Sequence, residues 1–194
     1  MSMSTFEISF EVPTLTSLDD PLVDVAEDEL DAFVVVSGYG ARVTLSWEGV
    51  SAAPAGREAG TALIRHGIVP ARTLPDLVSP SEIAMRASVT RQAVGAWIRG
   101  ERGEGFPAPF YAGDRGLWLW GEVNAWLIAN DRTHDVGVAY PSRSDHTDID
   151  YHLLTHRPVS GPARVFPLPW SPDSDTGRAG TECVALKIDV KDAR

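Results

Sequence analysis

The chain opens with an alternation of apolar and polar residues that predicts an amphipathic strand over residues 6–12. One face of this segment carries large apolar side chains, Phe6, Ile8, Phe10 and Val12. The other face carries glutamates and a serine, and this two-residue period is typical of a strand with one face in the core. Asp19-Asp20-Pro21 then supplies a cap and a first-turn proline for a helix predicted to run to about Phe33.

The pattern next predicts a hairpin, a second helix and a fourth strand. Residues 34–47 read VVVSGYGARVTLSW, two apolar runs around glycines that can supply the turn. Apolar residues at helical spacing predict a helix from Pro54 to His66, and residues 68–74 can form the fourth strand. The order β-α-β-β-α-β predicts an α+β fold with a ferredoxin-like N-terminal domain over residues 1–76.

Two short helices separated by a tight turn are predicted after this domain. Ser79, Pro80 and Glu82 have the spacing of a capping box, with the proline at the first helical position. Ser88 and Val89 are predicted to form the turn. The buried stripe of the first helix is expected to consist of Ile83, Ala84 and Ala87.

The second helix of the pair is the candidate recognition helix, residues 90–99. Thr90 can cap its start and Gly100 can end it. We expect its inward face to carry Val94, Trp97 and Ile98. We expect its outward face to carry Arg91, Gln92, Gly95 and Arg99.

Residues 105–120 are rich in glycine, proline and aromatic residues and predict a wing, a hairpin with its tip at Asp114 to Gly116. A third helix is predicted from Glu122 to Ile128, which completes a winged helix-turn-helix over residues 77–130. The aromatic side chains here are expected to form the core of this small domain rather than a platform for stacking bases. Residues 131–194 are predicted to be an irregular C-terminal extension, with a short helix at Ile149 to Thr155 and a strand at Val184 to Val190.

The net charge of −10 argues at first sight against nucleic-acid binding, which needs local positive charge. The acid is concentrated outside the predicted winged domain, because residues 1–78 carry twelve acidic and four basic side chains. Residues 79–102 carry four arginines and two glutamates, a local charge of +2. The sequence therefore predicts weak non-specific affinity for DNA with a strong dependence on salt.

The candidate recognition helix carries residue types that read base edges. Arginine pairs bidentately with guanine and glutamine with adenine, so Arg91 and Gln92 are the candidate base contacts. Arg99 is the candidate phosphate contact on this helix. Further contacts with the DNA backbone are expected from two hydroxyls at helix N-termini and from two arginines near the wing: Ser81, Thr90, Arg102 and Arg115. The alternative is that these residues form a solvated helix face.

Other chemistry has weaker support in the sequence. His152 and His156 lie four residues apart, but Leu153 occupies the place where a hydrolytic zinc helix needs a glutamate. Cys183 is the only cysteine, and we expect it to be a small buried residue. With no phosphate loop, nucleophile elbow or catalytic dyad, we expect neither an enzyme nor a cofactor or bound metal.

The segment from residue 77 to about 128 resembles the MerR-like winged helix-turn-helix family, which includes phage excisionases and AlpA-type regulators. The resemblance rests on three pieces, SPSEIAMRASVTRQAVGAWIRG, GFPAP and LWLWGEVNAWL. It implies that Thr90, Arg91, Gln92 and Arg99 belong to the recognition helix and that Arg115 belongs to the wing. The overall acidity and the added segments on both sides depart from the family.

These observations predict a bacterial or phage DNA-binding regulator or excisionase-like protein. No stretch of the chain is long and apolar enough to span a bilayer and the N-terminus has no signal peptide pattern, so we expect the protein in the cytoplasm. The expected partners are double-stranded DNA and, through residues 1–76, a second copy or another protein. The alternative is an interaction protein, such as an antitoxin or phage-encoded decoy, that uses its acidic surface and has the winged domain as a scaffold.

Overall fold

Two helices pack on one face of an antiparallel sheet in the first part of the chain. The computed structural model describes residues 3–113, 116–132 and 137–157. The elements of this part are β1 (Ser4–Val12), α1 (Pro21–Leu30), β2 (Phe33–Ser37), β3 (Gly40–Gly49), α2 (Ala52–Arg65) and β4 (Arg72–Thr73). The strands lie in the order β2-β3-β1-β4, and each of these neighbours is antiparallel.

The predicted alternation in β1 is confirmed. Phe6, Ile8, Phe10 and Val12 are all buried in the core between the sheet and its helices. The opposite face is polar, and the Ser9 hydroxyl lies 2.9 Å from the hydroxyl of Thr44 on β3. At β1 and β3 the sheet therefore has one apolar face under the helices and one polar outer face.

Helix α1 is shorter than predicted. Its start is confirmed, since the Asp20 side chain accepts a hydrogen bond from the Leu22 amide and Pro21 occupies the first turn. The expected end near Phe33 is wrong, because Asp31 adopts a left-handed conformation with φ of 51° and ends the helix. Phe33 instead begins β2.

Part of the predicted irregular extension is regular in the structure. β7 (Val138–Ala139) adds a strand parallel to β1, which makes the sheet mixed. α6 (Arg143–His156) is a full helix of 14 residues rather than the short one expected from Ile149 to Thr155. The predicted strand at Val184–Val190 lies outside the described residues.

Helix α6 completes the first core by packing against α2. Ile149 and Leu153 are 0% and 1% exposed. A Cβ built on Gly56 of α2 would lie 2.3 Å from the Cδ1 of Ile149, and one on Gly60 would lie 2.7 Å from a methyl of Leu153. The two glycines therefore let the helices approach closely. The amide and hydroxyl of buried Thr73 also donate to the carboxylate of Asp150 on α6, at 2.6 and 2.8 Å.

A second hydrophobic core is formed by the middle of the chain. Its elements are β5 (Leu77–Val78), α3 (Pro80–Arg86), α4 (Arg91–Ile98), β6 (Trp118–Leu119) and α5 (Trp120–Ala129). β5 pairs antiparallel with β6. The predicted third helix from Glu122 to Ile128 is thus present and starts two residues earlier. The described residues form a mixed α+β fold with six helices.

Short contacts hold the two cores together. The amide of Trp120 donates to the carbonyl of Asp76 at 2.8 Å. Arg143 at the start of α6 donates to both carboxylate oxygens of Glu122 on α5, at 3.1 and 3.0 Å. Among the described residues, none of the helices has both the length and the apolar character needed to cross a bilayer.

Candidate nucleic-acid interface

The first helix of the pair, α3, starts at the predicted capping box. The Ser79 hydroxyl accepts from the Glu82 amide at 3.4 Å, and the Glu82 carboxylate accepts from the Ser79 amide at 2.7 Å. Hydrogen bonds from the Ser79 hydroxyl and amide lower the pKa of Glu82. Ser81, predicted to contact phosphate, lies half-buried in the first turn. The start of α3 is thus fixed by residues within its own first turn.

The turn between α3 and α4 is tight. Ser88 adopts a left-handed conformation with φ of 54°, and the Val89 amide returns to the carbonyl of Ala84 at 2.9 Å. Thr90 then caps α4, as predicted, by accepting from the Ala93 amide at 3.2 Å. The angle at which α4 leaves α3 is therefore set by hydrogen bonds on both sides of the turn.

The inner face of α4 is anchored and its outer face is open. Val94 is 0% exposed and Trp97 is 3% exposed. Arg91, Gln92 and Arg99 are exposed, as predicted. Other parts of the described chain do not cover the side of the helix that carries them.

Ile98 differs from the prediction that it faces inward. It is 38% exposed, because α4 ends at this residue and the chain beyond it is rich in glycine. Ile98 lines an open cleft of about 480 Å³ together with Gly100, Gly103 and Gly105.

The four arginines of the helix pair fall into two classes. Arg86 forms a bidentate ion pair with Asp76 and lies over the ring of Trp120, 4.9 Å from its centroid. Arg99 donates to both carboxylate oxygens of Glu101, at 2.6 and 3.0 Å, and these hydrogen bonds raise the pKa of Arg99. The other two, Arg91 and Arg102, form no salt bridge within residues 3–113, 116–132 and 137–157.

The ion pairs of Arg86 and Arg99 reduce the positive charge that the sequence predicts for the helix pair. Arg86 is held by a residue of the segment before the helices, and its role is to attach α3 to that segment. Arg99 remains exposed, and a phosphate would have to compete with Glu101 for its guanidinium. The charge free to act on a ligand is therefore concentrated at Arg91 and Arg102.

The segment after α4 folds back over the second core, and its backbone carbonyls accept hydrogen bonds from two tryptophan side chains. The Trp126 indole donates to the carbonyl of Glu104 at 3.0 Å, and the Trp118 indole donates to that of Pro107 at 3.0 Å. Tyr111 and Leu117 pair across a short antiparallel bridge, consistent with the predicted hairpin. The predicted wing contact Arg115 lies outside the described residues.

Most of the predicted aromatic core is buried: Trp118, Trp120 and Trp126 are buried and Phe106 is half-buried, but the prediction is wrong for Phe110, which is 39% exposed. Phe106 packs against Trp97, Trp118 and Trp126 with ring centroids 6.1, 6.4 and 5.0 Å apart. Arg132 lies over two of these rings, 5.3 Å from the centroid of Trp97 and 5.4 Å from that of Trp126. Sequence reasoning missed this arginine because it follows α5 and belongs to none of the motifs.

The helix that carries the two histidines serves packing in this structure. The His152 Nε2 lies 3.1 Å from the hydroxyl of Thr61 on α2, and its ring stacks on that of His156 with 4.0 Å between centroids. Among the described residues, no three metal-ligating side chains converge. Cys183 lies outside them.

A polar cleft of about 640 Å³ lies where the outer face of the sheet meets the start of the helix pair. It is lined in part by Glu7, Arg42, Asp76 and Arg86. Burial, and secondarily the nearby carboxylate of Asp76, raises the pKa of Glu7. Two carboxylates and two guanidinium groups line the cleft, so its charges balance and it does not extend the cationic surface of α4.

No family model, curated protein or solved structure matches this chain. The geometry of the site is therefore what supports any function assigned to it.

Proposed function

We propose that this protein binds double-stranded DNA sequence-specifically, with α4 in the major groove. The observation that carries the proposal is the N-terminal end of α4, where Arg91 and Gln92 are exposed and Arg91 forms no salt bridge within the described residues. These are the side chains that pair bidentately with guanine and adenine. A capped start, a tight turn and a buried inner face hold them on a fixed helix, which base readout requires.

We infer that residues 77–130 form a winged helix-turn-helix of the MerR-like type. The capped pair α3 and α4, the Tyr111–Leu117 bridge and the return of β6 onto β5 support this assignment. We also infer that the N-terminal domain is ferredoxin-like. Its support is the element order β-α-β-β-α-β with antiparallel strands in the order β2-β3-β1-β4.

The role that follows is that of a cytoplasmic transcriptional regulator or excisionase-like protein with no catalytic function. One such module makes few base contacts, so useful specificity needs two half-sites or a partner that holds it near DNA. Because Arg99 pairs bidentately with Glu101, phosphate contacts contribute little to the affinity for DNA. Binding is therefore weak, and it falls less steeply with rising salt than the sequence alone predicts, because fewer phosphates are contacted.

The experiment is a mobility-shift titration of a duplex enriched from a random pool and of its scrambled counterpart, each at two salt concentrations. Arg91→Ala and Gln92→Ala should each lose about 1–3 kcal/mol of discrimination between the two duplexes. Arg99→Ala and Arg115→Ala should weaken binding to both duplexes similarly.

Arg65→Ala is the matched control, because Arg65 is an exposed arginine on α2 rather than on the helix pair. It should bind both duplexes like the wild type. Affinities unchanged in all four variants, or lowered equally by Arg65→Ala, would refute the role of α4.

A protein-interaction role is the second candidate, and the ion pairs of Arg86 and Arg99 favour it. These pairs engage half of the helix-pair arginines with carboxylates, in a chain with net charge −10. An acidic surface of this kind suits a basic protein partner. Retention on a column of basic protein, together with no retention on DNA at low salt, would select this role.

A further inference from the structure

The outer edge of β2 is open. β2 is the end strand of the sheet, and within the described residues it pairs only with β3. An edge strand presents unpaired backbone groups on which another strand can form, and proteins usually block such edges with lysines, prolines or bulges. The sequence of β2, FVVVS, contains neither residue, and its register with β3 is continuous from Phe33 to Ser37.

The edge strand β2 also exposes apolar side chains. Phe33 is 68% exposed and Val35 is 42% exposed on the outer face of the sheet. Val36, which points to the other face, is only half-buried. A strand added at this edge would therefore cover apolar surface on both faces as well as satisfy backbone groups.

The absence of charge along this edge suits a second copy of this chain as the partner. Residues 32–41 carry no charged side chain, whereas residues 1–78 as a whole carry a net charge of −8. Two copies can therefore pair strand to strand without charges facing each other, although the acidic helix α1 packs against β2 in each copy and its repulsion weakens the contact.

We propose that two copies pair antiparallel through β2, with the two-fold axis at Val35. In this register residues 33–37 of one copy lie opposite residues 37–33 of the other, and Val35 faces its own counterpart. Phe33 and Val35 stay on the outer face and Val34 and Val36 on the inner face, because side chains alternate along a strand. The contact is the same patch on both copies, as a closed two-fold dimer requires.

The proposal deepens the proposed function by naming the partner that would place two recognition helices on one DNA, although it does not need DNA to form. Two five-residue strands bury less surface than a standard stable interface. The dimer is therefore weak, and its population depends on protein concentration.

The test is sedimentation of the full chain over a wide concentration range without DNA. The wild type should rise from the chain mass of 21.0 kDa toward twice that value. Val35→Lys and Val35→Glu should each remain monomeric, because like charges would face each other across the axis. An equal mixture of the two variants should dimerise again, because lysine then faces glutamate.

Val50→Lys is the control, because Val50 is an exposed valine, at 56% against 42% for Val35, that lies outside β2. It should dimerise like the wild type. A wild type that stays at the chain mass throughout, or Val35 variants that dimerise normally, would overturn the β2 contact. A mixture that stays monomeric would overturn the register. Since no DNA is present, these outcomes are independent of the DNA-binding test.

Discussion

The two hydrophobic cores of this protein are built in different ways. The first core contains mostly aliphatic side chains, alanines and two phenylalanines, and it draws on elements from β1 to α6. The second core lies within residues 78–127 and contains four tryptophans, Trp97, Trp118, Trp120 and Trp126. The first core is therefore assembled from segments distant in the chain, and the second from large side chains close together.

This difference explains why the outer face of α4 can stay open. A small domain has little interior, and a few aromatic side chains supply much of the apolar area that it buries. α4 contributes Val94 and Trp97 to that interior from one side only. Its other side is not needed for stability and is available for a ligand.

The largest loss of stability is expected when one tryptophan is removed from the second core. Trp126→Ala should lower the free energy of unfolding by about 3–5 kcal/mol, because it removes a buried ring and the donor to Glu104. Denaturant titration followed by circular dichroism measures this change in the free energy of unfolding. Tyr111→Ala, at a side chain 63% exposed, should cost far less. Equal costs would mean that the aromatic cluster is not the core.

The first core is tested by two neighbouring leucines on α6. Leu153→Ala should lower the free energy of unfolding by about 2–5 kcal/mol, because Leu153 is buried against Gly60 of α2. Leu154→Ala should change it by about 0.5 kcal/mol or less, because Leu154 is 67% exposed. If the same titration gave similar losses for both, α6 would not be part of this core.

A smaller effect is expected at the polar contact between α6 and β4. Asp150→Ala should cost about 1–3 kcal/mol, because the amide of buried Thr73 loses its acceptor and its hydroxyl keeps only the contact with His146. Asp148→Ala removes only the partly exposed ion pair with Arg57 and should cost about 1 kcal/mol or less. The reverse order in thermal or chemical unfolding would contradict the placement of Asp150.

The sequence predicted those local structures that depend on residues close together in the chain. The capping box at Ser79, the Thr90 cap and the alternation in β1 are each fixed within a few residues, and each was predictable. The start of α6 also has a local signal, the capping box of Ser142 and Asp145, which the prediction of a helix from Ile149 missed. The burial of α6 was not predictable, because it depends on Gly56 and Gly60 about 90 residues earlier. The pairing of Arg86 with Asp76 is likewise a tertiary contact, so the local charge of +2 overstated what the candidate site can offer.

The central claim is that the outer face of α4 reads bases, and selection from a random pool of duplexes tests it most directly. The wild type should enrich a defined motif at low salt. Arg91→Ala or Gln92→Ala should enrich the same motif with one position relaxed, because a single base contact is lost. No enrichment by the wild type, or a motif that both variants leave intact, would contradict the account.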